Sequence, residues 1–158
     1  MKKGGSNAVW DSASEKLIET LHPKIRDKAR EFINKAEKEG IKLRVTSGFR
    51  TYEEQDKLYA QGRTTSGQVV TNASAGHSNH NFGTAFDVVP IINGKADYDN
   101  GDWDKIGQLG KSVGFKWGGD WSSIIDKPHF EMTFGNSTAD MRNKIAQGNV
   151  KDGYVILA

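Results

Sequence analysis

The residue types able to do chemistry gather in two short stretches. The first, Ser78-Asn79-His80-Asn81-Phe82-Gly83-Thr84-Ala85-Phe86-Asp87, sets a histidine at the end of a polar loop and an aspartate inside an apolar strand. The second, Asp126-Lys127-Pro128-His129-Phe130-Glu131, opens a strand with a histidine that has one acid three residues before it and another two after. A lone carboxylate between Phe86 and Val88 is costly to bury. A metal ion removes that cost and so does a hydrogen-bonded salt bridge; the residues alone leave both readings open. His80, Asp87 and His129 form an N/O ligand set that zinc accepts, and three protein ligands leave a fourth position for water, as in catalytic sites. Zinc in such a site lowers the pKa of that water and polarises a carbonyl. A nearby carboxylate can then take the proton and return it to a leaving group. Asp126 leads for that task, and Glu131, on the same strand face as His129, is the alternative.

Composition narrows the field. Lys plus Arg number 22 and Asp plus Glu 20, for a formal net charge of +2 over 158 residues. That balance carries no footprint of a nucleic-acid binder, and no run approaches the roughly 20 apolar residues of a membrane span. Cysteine is absent, which excludes disulfides, thiolate metal ligands and a thiol nucleophile. With four histidines, each can be weighed singly: His22, before Pro23, reads as a surface or packing residue, and His77 as a rim or solvated one. The Asp97–Asp104 cluster lacks EF-hand spacing and reads as an acidic turn before a helix.

These residues need elements to position them. Ser12-x-x-Glu15 predicts a capped helix continued by Leu17, Ile18 and Leu21, and Pro23 the first turn of a second helix with Ile25, Ala29, Phe32, Ile33 and Ala36 on one face. Residues 41–46 alternate as a strand, and Thr51-x-x-Glu54 caps a helix to about Gln61 with Leu58 and Tyr59 on its buried side. Residues 62–81 are rich in Gly, Ser, Thr and Asn, a long irregular stretch of the kind that is usually functional. Further strands are predicted over 84–89, 115–117 and 129–134, with a hairpin arm and turn at 91–95. Helices are predicted over 103–113 and 137–147, and the tail after Gly148 has no clear reading. Strands interspersed among helices without βα alternation give an α+β class, read as one domain over 1–158 with no appended wall-binding module.

The pattern Ser78-x-His80-x-x-Gly83-x-Ala85-x-Asp87, followed by Asp126-x-x-His129, resembles the family of D-Ala-D-Ala carboxypeptidases, dipeptidases and L-alanyl-D-glutamate endopeptidases. Ser47-Gly48-Phe49-Arg50-Thr51 and Gln55 match the same family's first signature, so three separated motifs recur in order over about residues 44–132. The resemblance implies the hedgehog/DD-peptidase fold, a small central antiparallel sheet flanked by helices. It implies that His80, Asp87 and His129 hold one Zn2+ per chain and that Asp126 is the catalytic acid and base. It further implies that Arg50 stabilises an oxyanion and that Ser78 and Gln55 contact substrate. The motif spacing favours His80 over His77 as ligand.

Gly62-Arg63-Thr64 and Trp117-Gly118-Gly119-Asp120-Trp121 look most like the L-alanyl-D-glutamate endopeptidases of phage endolysins, with Trp117 and Trp121 open between core and cleft wall. The implied partner is the peptidoglycan stem peptide, met by a monomer without nucleic acid or membrane insertion. No apolar segment follows the two lysines in residues 1–7. That favours the phage type, which gathers in the host cytoplasm and reaches the wall through a holin; a bacterial relative would work in the wall or periplasm. The rivals are a D-Ala-D-Ala carboxypeptidase of the same family, a non-catalytic zinc domain that binds wall, and a metal-free structural domain.

Overall fold

Successive side chains of a strand point to opposite faces, so one strand can build a core and a site at once. The strand that does so is β2 (Ala85–Ile92), which runs antiparallel between β1 (Leu43–Ser47) and β5 (His129–Glu131). Beyond β5 lies β4 (Lys116–Trp117), and β3 (Lys95–Ala96) folds back on the far end of β2 through an Asn93-Gly94 turn in which both residues have positive φ. The resulting five-stranded sheet has the order β1-β2-β5-β4 with β3 beside β2. The computed structural model describes residues 7–157; residues 1–6, which carry most of the N-terminal reading, lie outside the described residues.

Val45, Phe86, Val88 and Phe130 join one core with the apolar stripe of α2 (Pro23–Lys38), namely Ile25, Ala29, Phe32, Ile33 and Ala36, all fully buried. The Phe32 ring lies 4.7 Å from Phe130, 6.1 Å from Phe115 and 6.2 Å from Phe86, within the roughly 4.5–7 Å range that aromatic pairs prefer. α4 (Trp103–Val113) closes the core with Trp103, Ile106, Leu109 and Val113. Its two internal glycines cost helix propensity but make room: a Cβ at Gly107 would meet the Trp117 ring, and one at Gly110 the Phe130 ring.

Several local expectations are met and others are not. α3 (Tyr52–Ala60) has the predicted Thr51–Glu54 capping box, and α5 (Thr138–Ala146) is capped the same way by Ser137 and Asp140. The box expected at Ser12 is not made. Ser12 is the first residue of α1 (Ser12–Ile18), preceded by Asp11, and Glu15 instead accepts from the Val9 amide and from Arg30. In α3 the one buried residue is Gln55, whereas Leu58 and Tyr59 are half-buried, because the helix covers the cleft rather than the core. β5 ends at Glu131, short of Phe134, whose positive φ begins a turn with Gly135.

The tail forms a hairpin, β6 (Val150–Lys151) and β7 (Tyr154–Val155), and buries Val155 and Leu157 against Phe82 and Met141. His22 anchors it and is buried, the packing place of the two that its sequence context allows. Its Nε2 lies 2.6 Å from the Val155 carbonyl, and its Nδ1 accepts from the Lys24 amide 3.1 Å away as the cap of α2. Those two bonds require the neutral tautomer protonated on Nε2. Burial, reinforced by Lys24 and Arg26, lowers the His22 pKa from its ordinary 6.5 against the pull of the Val155 carbonyl.

The folded state therefore binds this proton less readily than the unfolded chain, so the stability owed to His22 is present above about pH 6.5 and declines as pH falls toward the depressed folded value. We expect His22→Ala to lose about 1–3 kcal/mol at pH 7.5. In urea titrations, the gap between wild type and variant narrows at pH 5; a gap constant with pH would refute the linkage.

Candidate metal centre and catalytic cleft

Register brings the site together. Asp87 on β2 pairs with Ser47 on β1 and with His129 on β5, so three polar residues stand in one row across the sheet. A register irregularity between Val45 and Ser47 breaks the β1 ladder at this row, and the chain leaves the sheet toward Arg50. His80 arrives from a 3-10 turn over Asn79–Phe82 capped by Ser78, whose Oγ accepts from the His80 amide. The Arg50 amide donates to the His80 carbonyl at 2.9 Å, which fixes the first and second motifs to each other. Asp126 is held by its amide bond to the Gly118 carbonyl at 3.0 Å, a close approach that a Cβ at Gly118 would block.

The ligand atoms offered by His80, Asp87 and His129 all lie within 4.8 Å of one another. His80 Nδ1 lies 2.9 Å from the Gly48 carbonyl, so that nitrogen carries the hydrogen and Nε2 presents a lone pair 3.4 Å from Asp87 Oδ1. His129 uses its nitrogens the other way round. Nε2 donates to Glu131 Oε1 at 2.7 Å, and Nδ1 faces Asp87 Oδ1 at 3.5 Å. Both imidazoles thus aim an acceptor nitrogen at the same carboxylate oxygen, and Asp87 Oδ1 is the buried side-chain atom without a hydrogen-bond partner among the described residues. Two atoms bound tetrahedrally to one zinc at roughly 2.0–2.1 Å stand about 3.3 Å apart. The 3.4 and 3.5 Å separations at Asp87 Oδ1 and the orphaned oxygen fit a metal-ligand set. A salt bridge to Arg50 fits less well, because its nearest nitrogen, Nη2, is 3.9 Å away on Asp87 Oδ2; the nearer positive partner is a protonated His129, 3.5 Å from Oδ1.

Electrostatics agree. Burial favours a neutral Asp87, yet the flanking His129 and His80 outweigh it and hold the carboxyl well below the usual range. Burial disfavours a charged His129, yet Asp87 and Glu131 lift it to about 9, so a ring that meets no cation takes a proton on Nδ1, and a metal would compete with that proton for the same nitrogen. The centre is a place that demands positive charge. Asp126 differs: burial first, then the Asp87 charge, push its pKa up, with His129, His80 and Arg50 opposing. A raised carboxyl suits a group that must both take and give a proton.

These residues line a cleft of about 680 Å³ together with Ser78, Asn79 and His77. Its walls are Val70, Thr71, Asn72 and Ala73 on one side and Trp121, Ser123 and Ile124 on another. The two tryptophans divide the alternatives between them. Trp117 is core, with Nε1 donating to the Lys127 carbonyl, whereas Trp121 is 38% exposed and its ring lies 4.8 Å from His129. Arg50 faces the cleft and donates to Ser47 Oγ and Gln55 Oε1. Gln55 is behind it, fully buried and absent from the cleft wall, so the expected substrate contact gives way to a supporting place. His77 is an exposed rim residue, as expected, and outside the ligand cluster.

Two further supports were not foreseen. Glu131 stands on the side of the His129 ring away from Asp87, where it orients the imidazole, while Asp126 Oδ2 is 4.0 Å from the Nδ1 that faces Asp87. Asn81 is buried, accepts from the Gly76 and Ser78 amides and donates to the Arg50 carbonyl. The Asn three residues after Ser78 could have signalled this capping-box partner. We expect Glu131→Gln to weaken zinc binding about 10-fold or more, by analogy with other carboxylates that orient metal-bound histidines. A chelator-competition titration measures it, and unchanged affinity would remove Glu131 from the centre.

The match to known proteins follows this geometry. Residues 18–140 match the family described as VanY, D-alanyl-D-alanine carboxypeptidase. The chain is 42% identical over 122 residues to the peptidoglycan L-alanyl-D-glutamate endopeptidase CwlK of Bacillus subtilis, covering 71% of this chain and 73% of that protein. It is 28% identical over 140 residues to the L-alanyl-D-glutamate peptidase of Listeria phage A118, covering 87% of this chain but only 47% of that protein, about half its length. In fold it resembles the Serratia marcescens L-Ala D-Glu endopeptidase ChiX, with a TM-score of 0.62 at 20% identity, covering 84% of this chain and 95% of that one. It also resembles a VanB-type D,D-pentapeptidase VanY variant solved with Zn(II), with a TM-score of 0.55 at 21% identity over 85% of this chain and 80% of that one. An α+β sheet with a His-Asp-His cluster at its central row and a family match over most of its length leave one assignment: the chain belongs to the VanY family.

Proposed function

We propose that the chain is a zinc peptidase that hydrolyses the L-alanyl–D-glutamate bond of peptidoglycan stem peptides, working as one domain over residues 1–158. The observation that carries the chemistry is the buried Asp87 Oδ1, which has two imidazole nitrogens and no hydrogen-bond partner beside it. The choice of bond draws on the 42% identical Bacillus subtilis endopeptidase. Zinc bound by His80, Asp87 and His129 would supply Lewis acidity, polarising the scissile carbonyl and acidifying water. Asp126, with its raised carboxyl, takes the proton of the attacking water and hands it to the departing amine of D-glutamate. Arg50 lies beside Asp87 as a fixed cation for the developing oxyanion. Ser78, on the cleft wall, hydrogen-bonds the substrate.

A second reading, removal of the terminal D-alanine, is favoured by the description of the matching family. Mass spectrometry of muropeptides separates the two: new N-terminal D-glutamate supports the endopeptidase, and loss of a single D-alanine replaces it. The finer role, an endolysin that meets the wall after holin action, draws on the phage relative. Among the described residues no helix is long and apolar enough to cross a membrane. Co-expression with and without a holin in a bacterial host tests this role by culture lysis.

His80→Ala and His129→Ala should lose zinc and turnover together, and chelation of the wild type should abolish cleavage that added zinc restores. Asp126→Ala should keep zinc and fold while kcat falls about 100- to 10,000-fold. Normal turnover in that variant would take Asp126 out of the reaction.

A further inference from the structure

α3 carries one buried residue, and it is polar. Gln55 is fully shielded from solvent, with Oε1 accepting from Arg50 Nη1 at 2.9 Å and Nε2 donating to the Ala73 carbonyl at 2.7 Å. The orientation of the amide is forced, since a guanidinium can only donate and a carbonyl can only accept. No other side chain of similar size offers an acceptor on one branch and a donor on the other. Ionised glutamate lacks the donor, and methionine lacks the donor and offers only a weakly accepting sulfur.

The Ala73 carbonyl belongs to a wall built on α3 by side-chain bonds. Asp56 Oδ1 accepts from the Ala75 amide, and Gln61 Nε2 donates to the Gln68 carbonyl. Arg63, from the Gly62-Arg63-Thr64 motif, stacks 4.0 Å over Tyr59 and donates to the Thr71 carbonyl and Asn72 Oδ1. Val70, Thr71, Asn72 and Ala73 of this segment line the cleft. None of the hydrogen bonds of the Arg50 guanidinium reaches the segment directly; Gln55 is the guanidinium's link, separate from the backbone path from the Arg50 carbonyl through Asn81 to the Gly76 amide.

We propose that Gln55 is a positioning residue that couples the setting of Arg50 to the 68–76 cleft wall, so that a substrate pressing on this wall also sets the oxyanion cation. The catalytic half rests on the assignment of Arg50 in the proposed function; the mechanical half does not. Loss of the Arg50 acceptor misplaces a group that acts in the transition state, and a misplacement near 1 Å can cost about 100-fold. Because Gln55 acts through Arg50, its effect must vanish when Arg50 is gone.

The test is a double-mutant cycle with muropeptide as substrate, joined to hydrogen exchange of the zinc-loaded protein. Gln55→Met should lower kcat about 10- to 100-fold with zinc content unchanged. In an Arg50→Ala background the same change should cost less than about twofold. Arg50→Ala alone should speed amide exchange in the peptide covering residues 68–76, which needs neither turnover nor a stable Gln55 variant. Equal cost of Gln55→Met in both backgrounds would mark a merely structural residue and overturn the catalytic half. Wild-type turnover in Arg50→Ala would overturn that half through the proposed function instead. Unchanged exchange over 68–76 in Arg50→Ala would overturn the mechanical link.

Discussion

A half-buried carboxylate on the middle strand of a sheet, with one oxygen shut off from solvent, constrains everything around it. Asp87 sits between Phe86 and Val88, which face the core, and an unpaired ion there is several kcal/mol unfavourable even after relaxation, about as much as the burial of one or two large apolar side chains returns. The strand period resolves the conflict geometrically by sending Phe86 to α2 and Asp87 to the opposite face. Phe130 and His129 divide in the same way on β5, in register with Phe86 and Asp87. The aromatic packing of Phe32, Phe86 and Phe130 therefore also sets the distance between two members of the His-Asp-His cluster. Packing precision in the core becomes positional precision in the site.

The third member of the cluster, His80, comes from outside the sheet, and many bonds hold it there. The 3-10 turn that bears His80 is tied to Arg50 by its carbonyl, to Gly48 by its imidazole and to the helical corner by the bond from the His22 amide to the Gly83 carbonyl. From the other side, Phe82 packs on Met141, Val155 and Leu157, so the terminal hairpin supports the same turn. His22 joins these supports because one neutral imidazole caps α2 and receives the hairpin.

The cleft has walls of two kinds. On the β4–β5 side, Trp117 and Gly118 are packed into the core and fix the course of the chain toward Asp126. The opposite wall hangs on α3 through polar contacts and buries almost no apolar surface, since Gln55 is the only buried residue of that helix. Elements held in this way lie at the less stable end of a structure. A wall of this kind suits recognition of a peptide that must enter and leave. Arg50 stands where the two regimes meet.

Much was legible in the sequence because the signals were local. Helical periodicity fixed α2 and its buried face, the Thr51–Glu54 capping box fixed the start of α3, and Asn93-Gly94 fixed a hairpin turn. Three motifs spaced along the chain identified His80, Asp87, His129, Arg50 and Asp126 as residues that meet, and tertiary structure brought them around one cleft. Other assignments needed partners distant in sequence. Glu131 and Asp126 have the same chemistry and both neighbour His129, and only the orientation of that ring assigns one to support and leaves the other facing the cleft. The capping box at Ser12 gave way to ion pairs of Asp11 and Glu15 with Arg44 and Arg30, far along the chain. Gln55 looked like a residue for substrate until burial placed it behind Arg50, and of the surface and packing places open to His22 the folded tail decided for packing. Sequence alone determined which residue types stand at each spacing. Which atom each one faces was decided by tertiary packing, because ring orientation, burial and hydrogen-bond supply are set by neighbours that local sequence does not contain.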